Sequence, residues 1–499
     1  MAQEVELKLA LPESSRRAFL RHPLLARALS KRPARQVFSI YFDTPDLDLR
    51  NKGIALRLRR LGKQWLQTVK CAGVVAGGLA SRPEWEQPYD GHAFDFALVD
   101  QPDIRKFLEK CRKKGLLSPA FETDFRRQTW EFEPVPGSRL ELAFDQGVIR
   151  SGERTLPLCE LEIEVVEGDA GPLLQLAQDL AGRLPLRPDA RSKAERGYRL
   201  FSGLPPSPVH ASPSPLSAKD GTRTAFRKIA LACIAQMQGN EEGLLTSDDP
   251  EFIHQMRVAL RRLRSALRTF GPALAPEFAA RFDAPLGGLA RKLGAARDRD
   301  VLVEEVIQPV MAAFPSDPRL ASLAALAAED RLAAREDARA AVANPAYGHL
   351  LLDLVVALHG PDFDEPEAPH ALAAFARDSL KEARRRVSRR ALRAQDLNPL
   401  ALHALRIAAK HLRYSLDFLS VLYRRGRVRA EIARLTVLQS DLGHINDLAN
   451  ARRLLLERAI TPPPQLCEAL ALVEGWHRGH MEPILAALPQ SLAALAGKR

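Results

Sequence analysis

Hydrophobic and polar residues follow two different periods along this chain. Over the first part they alternate: Val5, Leu7 and Leu9 take one side while Glu4, Glu6 and Lys8 take the other, the period-two pattern of a strand. The format recurs where Leu56 and Leu58 alternate with Arg57 and Arg59, and where Leu140, Leu142 and Phe144 alternate with Arg139, Glu141 and Asp145. It appears again where Leu161, Ile163 and Val165 alternate with Glu160, Glu162 and Glu164. Lys70 ends another such run, and Glu84 and Glu86 flank Trp85. Turn signals at Asp46, Gly53, Gly62, Gly77-Gly78 and Pro136-Gly137 separate the runs. Beyond residue 219 the text becomes Ala-, Leu- and Arg-rich with apolar positions at helical spacing. The proline- and serine-rich stretch Gly203–Ala218 has no periodic apolar face and predicts an extended linker. The expected architecture is an antiparallel α+β or barrel domain over residues 1–202, a linker over 203–218, and an all-α domain over 219–499.

A solvated face on an antiparallel sheet ordinarily mixes Thr, Ser, Gln and Lys. These faces instead sort their charge, with carboxylates on some strands and guanidinium groups on others. A sheet closed with such faces inward encloses a charged cavity. Clustered carboxylates bind hard divalent cations, and Arg and Lys clusters bind phosphate oxygens. A polyphosphorylated substrate with its metal satisfies both.

Glu4-x-Glu6-x-Lys8 resembles the ExExK motif of the CYTH family, the triphosphate tunnel metalloenzymes. The likeness continues through Tyr41-Phe42-Asp43-Thr44-Pro45-Asp46, Ala55–Arg60, Gln67–Lys70, Arg82–Glu86, Glu160–Glu164 and Ser192–Tyr198. A single ExExK is weak; this order over some 200 residues is specific. The resemblance implies an antiparallel β-barrel or tunnel whose lumen carries the charged faces and which hydrolyses inorganic triphosphate with Mg²⁺ or Mn²⁺. Carried onto this chain, it implies Glu4, Glu6, Glu160, Glu162 and Glu164 as metal ligands, and Lys8, Arg57, Arg59, Lys70, Arg127 and Lys193 as phosphate-binding residues. Glu4, Glu6, Lys8, Lys70, Glu160 and Glu162 form the implied catalytic set. Arg126 beside Arg127 leaves that register open, and Asp145 falls where an acidic lumen residue is expected. A class IV adenylate cyclase, or a nucleoside or thiamine triphosphatase, is the alternative within the same family.

In the second part His254, Arg257, Arg261, Arg264 and Arg268 are spaced 3, 4, 3 and 4, forming one stripe of a helix beside an apolar stripe of Met256, Leu260, Leu263 and Leu267. A second copy stands 149 residues on, at His403, Arg406, Lys410 and Arg413. Leu293-Gly294 with Arg297-Asp298 matches Leu442-Gly443 with Asn446-Asp447 at the same offset. An internal duplication follows, with halves at about residues 219–360 and 370–499. The copies are unequal: Arg268, Lys292 and Arg297 correspond to Asp417, Asp441 and Asn446. Neighbouring cations argue against a metal at either histidine and favour a polyanion. Lys381, Arg384, Arg385, Arg386, Arg389, Arg390 and Arg393 crowd the preceding predicted helix. These pieces resemble the CHAD family of conserved-histidine α-helical domains, which implies two helical halves binding inorganic polyphosphate. On that resemblance His254, Arg257, Arg261, Arg264, Lys292, Arg297, His403, Arg406, Lys410 and Arg413 are the expected binding residues.

Composition then narrows the partners. The 499 residues carry a formal net charge of +12, which favours acidic ligands without naming one. Aromatics make up only 6% and do not interleave with the basic stripes, so nucleic-acid binding is disfavoured. A polyphosphate-binding scaffold with an inactive tunnel is the non-enzyme alternative. No run of about 18 apolar residues predicts a membrane span. Five cysteines without CxxC spacing argue against a disulfide framework or a zinc site. A cytoplasmic protein, associated with polyphosphate granules, is the expectation.

Overall fold

The computed structural model describes residues 3–360, 363, 371–456 and 464–497. The chain divides into two compact units, Met1–Pro206 with Asn344–Gly360, and Ser207–Ala343 with Pro361–Arg499.

The first unit is built on ten strands: β1 Gln3–Ala10, β2 Ser30–Asp43, β3 Ile54–Leu61, β4 Gln64–Cys71, β5 Val74–Ala76, β6 Leu79–Tyr89, β7 Ser118–Val135, β8 Ser138–Ser151, β9 Arg154–Glu167 and β10 Arg187–Pro188. Hydrogen bonding runs β1–β9–β8–β7–β2–β3–β4–β6 and returns from β6 to β1. Eight antiparallel strands thus close a barrel, leaving few edges to protect. The two short strands are additions, β5 pairing with β6 and β10 with β1.

Period-two alternation then puts one side chain of each pair into the lumen and the next outside. The outward set is apolar: Leu7, Leu9, Leu56, Leu142, Leu161 and Ile163 are all fully buried. Helices supply their cover, so the hydrophobic core surrounds the barrel and the lumen is left to charge. These helices are α1 Arg16–Leu20, α2 Asp48–Asn51, α3 Pro102–Lys113, α4 Gly171–Ala181 and α5 Lys193–Ser202. Leu108 and Cys111 of α3 pack with Leu56 and Val69, and Phe19 of α1 packs edge-on against Trp130. Helix α5 begins at a capping box: Glu195 N–H donates to Ser192 Oγ at 3.1 Å and Ser192 N–H donates to the Glu195 carboxylate at 2.7 Å.

The second unit is helical: α6 Thr222–Thr246, α7 Pro250–Phe270, α8 Pro276–Val301, α9 Gln308–Ala313 and α10 Pro318–Ala343 form its first half. After α11 Pro345–Leu358, which clusters with the barrel unit, come α12 Ala371–Arg393, α13 Pro399–Leu419, α14 Arg425–Leu456 and α15 Pro464–Ala496. Helices α12, α13 and α14 each begin 149 residues after α6, α7 and α8, the offset read from the basic stripes. The local signals repeat as well. Asp249-Pro250 and Asn398-Pro399 start α7 and α13, each with its side chain accepting from the first-turn amides and proline at the first helical position.

Two segments differ from the sequence-based division. Residues 344–360 fall within the expected helical domain, yet they cluster with the barrel unit, where α11 packs on β10 and α4. The expected linker is also tied down: Val209 N–H donates to Asn240 Oδ1 at 3.0 Å, and Asn240 Nδ2 donates to the Val209 carbonyl at 2.9 Å. Asn240, on α6, is fully buried. Removing its amide takes away both bonds to the residue 209 backbone, so Asn240→Ala should cost about 1 kcal/mol. A urea titration of the full chain checks this, together with faster protease cleavage between residues 203 and 218.

Candidate functional site

The lumen cluster is set by strand register. Arg127 stands opposite Asp145, Asp145 opposite Glu160, and Lys8 opposite Glu162. Arg127 donates from Nε and Nη2 to the two Asp145 oxygens at 2.7 and 2.6 Å, and Nη2 also reaches Glu162 at 2.5 Å. Lys193, at the first position of α5, lies 2.7 Å from Asp145 and 2.9 Å from Glu162 and also bonds Glu160. Arg196, one turn further, pairs with Glu160. Asp145, Glu160 and Glu162 each offer an oxygen within 4.8 Å of the others. Burial alone would raise the Glu162 carboxyl, but Lys193 and Arg127 hold it well below the usual range.

A second group lines β1, β3, β4 and β6. Glu6 pairs with Lys8 and with Arg82. Lys70 lies 2.8 Å from Glu84, and Arg57 reaches Glu84 at 3.5 Å and Glu86 at 3.9 Å. Like that of Arg57, the Nε of Arg59 is buried without a hydrogen-bond partner. Burial, then Arg57 and Arg127, push its guanidinium down to about 10. A buried cation pressed by other cations is a standing demand for an anion.

The expected residues fall into place unevenly. Glu160 and Glu162 join Asp145 in a three-carboxylate cluster, while Glu6 pairs with Lys8 and Arg82. Glu164 shares the face of β9 but stands outside that cluster, and the Glu4 side chain lies outside the described residues. The register at β7 turns Arg127 inward and leaves Arg126 exposed. Arg82 and Arg196 are functional-site residues that the pattern reading passed over. Both had a signal, since Arg82 shares strand parity with Glu84 and Glu86, and Arg196 stands one turn from Lys193.

In the helical unit α7 packs against α13, which gathers their two basic stripes. Burial, followed by Arg261, lowers Arg257 to about 10. Burial also lowers Lys410, to about 7, with Arg406, Arg261 and Arg257 as the next causes. The Nε atoms of Arg261, Arg264 and Arg406 are buried without partners. The available carboxylates sit at the periphery: Arg257–Asp298 is 3.4 Å, Arg406–Asp447 3.9 Å, Arg264–Asp283 3.2 Å, and Arg297–Glu305 2.7 Å. His403 Nδ1 is 2.9 Å from Asn446 Oδ1, and Arg413 Nε donates to Gln439 at 3.0 Å. His254 is lowered by burial and by Arg297, whereas Lys292 is exposed on α8.

Comparison with known proteins follows the same division. The CYTH domain family matches residues 2–198 and the CHAD domain family matches residues 228–456. The chain is a CYTH domain followed by a CHAD domain. Over 205 residues it is 32% identical to the inorganic triphosphatase of Haemophilus influenzae, covering 40% of this chain and 56% of that protein. The chain thus spans about half the length of that curated relative. The crystal structure of the CHAD domain from the plant Ricinus communis is 33% identical, with a TM-score of 0.51, and covers 59% of this chain and 98% of that one. A Hippeastrum protein described as having a dominant triphosphatase activity is 22% identical, covering 41% of this chain and 98% of that one at a TM-score of 0.28.

The CHAD cation cluster carries a stability consequence. Between about pH 7 and the usual lysine range near 10.4, the unfolded chain binds a proton at Lys410 that the folded chain does not. Stability contributed at this site therefore rises with pH across that window. Lys410→Met should stabilise the full chain at pH 7 by about 1 kcal/mol, and the gain should shrink toward pH 10. Denaturant titrations at the two pH values read both effects.

Proposed function

We propose that the CYTH barrel hydrolyses a terminal phosphoanhydride bond of inorganic triphosphate, giving pyrophosphate and phosphate, and that the CHAD domain binds inorganic polyphosphate. The observation that carries the first reading is the enclosure of a three-carboxylate cluster and a partner-poor arginine, Arg59, in one closed barrel.

Asp145, Glu160 and Glu162 are oxygen donors of the kind hard divalent cations take, and they would hold Mg²⁺ or Mn²⁺. Such an ion, when bound, supplies neutralisation of phosphate charge and a more acidic bound water. The remaining work belongs to this chain's own side chains. Arg57, Arg59 and Lys70 hold phosphate oxygens and keep the chain of phosphates in line for attack. Lys8, Arg127 and Lys193, which pair with lumen carboxylates, stabilise charge that develops on the leaving pyrophosphate. The likeness to an inorganic triphosphatase over the CYTH region supports triphosphate as the substrate.

Phosphate release from triphosphate, pyrophosphate, ATP and long-chain polyphosphate, each with and without Mg²⁺, tests the assignment. Triphosphate should be turned over fastest and only with the metal. Glu162→Gln should lower kcat by about 10²-fold or more while the far-UV spectrum is kept. Equal turnover by that variant, or a clear preference for ATP, would contradict the reading.

For the CHAD domain, the cluster of Arg257, Arg261, Arg406 and Lys410 supports a polyanion ligand with closely spaced charges. Polyphosphate raises the pKa of Lys410, so binding above pH 7 takes up a proton. Affinity should then fall from pH 7 to pH 9, and Lys410→Arg, charged throughout, should flatten the profile. An equally steep profile in that variant removes Lys410 from the site.

A further inference from the structure

Helix α11 belongs in sequence to the helical part of the chain and in space to the barrel. Its fit there is close. Gly348 lies against the β10 backbone so tightly that a Cβ would stand 2.6 Å from the Leu186 carbonyl oxygen and 3.1 Å from Arg187 Cα. His349 Nε2 donates to the Leu184 carbonyl at 2.9 Å, and Gln178 of α4 donates to Asp353 at 3.0 Å. At the β5–β6 turn, Val355 abuts Gly77, where a Cβ would stand 2.0 Å from Val355 Cγ2. Leu351, Leu352, Leu354, Val355 and Leu358 are at most 1% exposed.

Two of the segments that α11 touches hold the Lys8 backbone. The Lys8 N–H donates to the Gly78 carbonyl at 3.0 Å, and the Lys8 carbonyl accepts from Asp189 N–H at 2.9 Å. Gly78 follows Gly77, and Asp189 follows β10. Lys8 is 3% exposed, stands opposite Glu162 in the ladder, and pairs with Glu6. From this placement we propose that α11 is a positioning element of the triphosphate site, fixing the Lys8 backbone from behind through the Gly77-Gly78 turn and β10. A strand pair as short as β10, two residues long, has little stability of its own, and α11 supplies what the ladder lacks. The catalytic unit is then discontinuous: it comprises residues 1–206 and 344–360, and truncating the chain at the linker removes part of it. The inference rests on the triphosphatase reading for its kinetic readout alone.

Two variants of the full-length chain test it. Gly348→Leu improves intrinsic helix propensity while placing a side chain where the Leu186 carbonyl lies. Val355→Ala is milder and removes the contact with Gly77. Amide hydrogen exchange followed in peptides covering residues 3–10, 184–192 and 345–358 reports docking directly. Exchange at Lys8 and Asp189 should quicken about tenfold when α11 is loosened, while β7 and β8 keep their protection. Because Lys8 acts on charge that develops as pyrophosphate leaves, kcat for triphosphate should fall about fivefold with KM within about twofold, and polyphosphate binding should be unchanged. Faster exchange of α11 with unaltered exchange at Lys8 and Asp189 would overturn the proposal. Absence of turnover in the wild type would instead count against the triphosphatase reading, and the exchange result would still decide the role of α11.

Discussion

Charge enclosed by a closed sheet is the constraint on which the rest of this structure depends. Eight strands returning from β6 to β1 leave each alternate side chain no route to solvent except along the lumen. Asp145, Glu160 and Arg57 are each no more than 6% exposed, and burial at that depth is tolerated only when charges meet partners. The Arg127, Lys193 and Arg196 bonds to those carboxylates are therefore a condition of folding. On the proposed function they are also the contacts that a metal-bound phosphate chain would replace, its cation taking the carboxylates and its oxygens taking the guanidinium and ammonium groups. The barrel thus holds lumen carboxylates and lumen cations against each other.

The helical unit solves the opposite problem with less compensation. Its α7 and α13 stripes meet with cations on both sides, and carboxylates such as Asp298 and Asp447 reach only the margins. The depressed lysine at position 410 and the partnerless Nε atoms record the cost. Destabilised cations gathered in this way support the proposal that the surface is kept for a polyanion rather than for stability. Duplication explains how such a cluster arises, because two copies of one basic helix packed face to face concentrate charge that either alone would leave in water.

Much of this was legible from residue order because both periods are physical. Strand parity alone places Glu160, Glu162, Arg57 and Arg59 on lumen faces, and the 149-residue offset anticipates the starts of α12, α13 and α14. Other features depend on contacts distant in sequence. Arg126 and Arg127 are indistinguishable until β7 is registered against β8. Asp145 gains its place beside Glu160 from the neighbouring ladder of β8 on β9. The pairing of Glu6 with Arg82 follows from closure of β6 on β1. The transfer of α11 to the barrel unit has no periodic signal at all, since a buried apolar helix reads alike on either partner. The hold of Asn240 on Val209 was equally hidden, because a proline-rich segment gives no sign of the side chain that will fix it.

The central claim is that lumen carboxylates and lumen cations exchange their mutual bonds for a metal and a phosphate chain taken up together. Thermal unfolding of the wild-type chain, with a non-hydrolysable triphosphate analogue alone, Mg²⁺ alone, and both, tests that coupling most directly. The account predicts that the combined shift in Tm exceeds the sum of the separate shifts, because each component frees the partners of the other. Strictly additive shifts, or full stabilisation by the analogue without the metal, would contradict it.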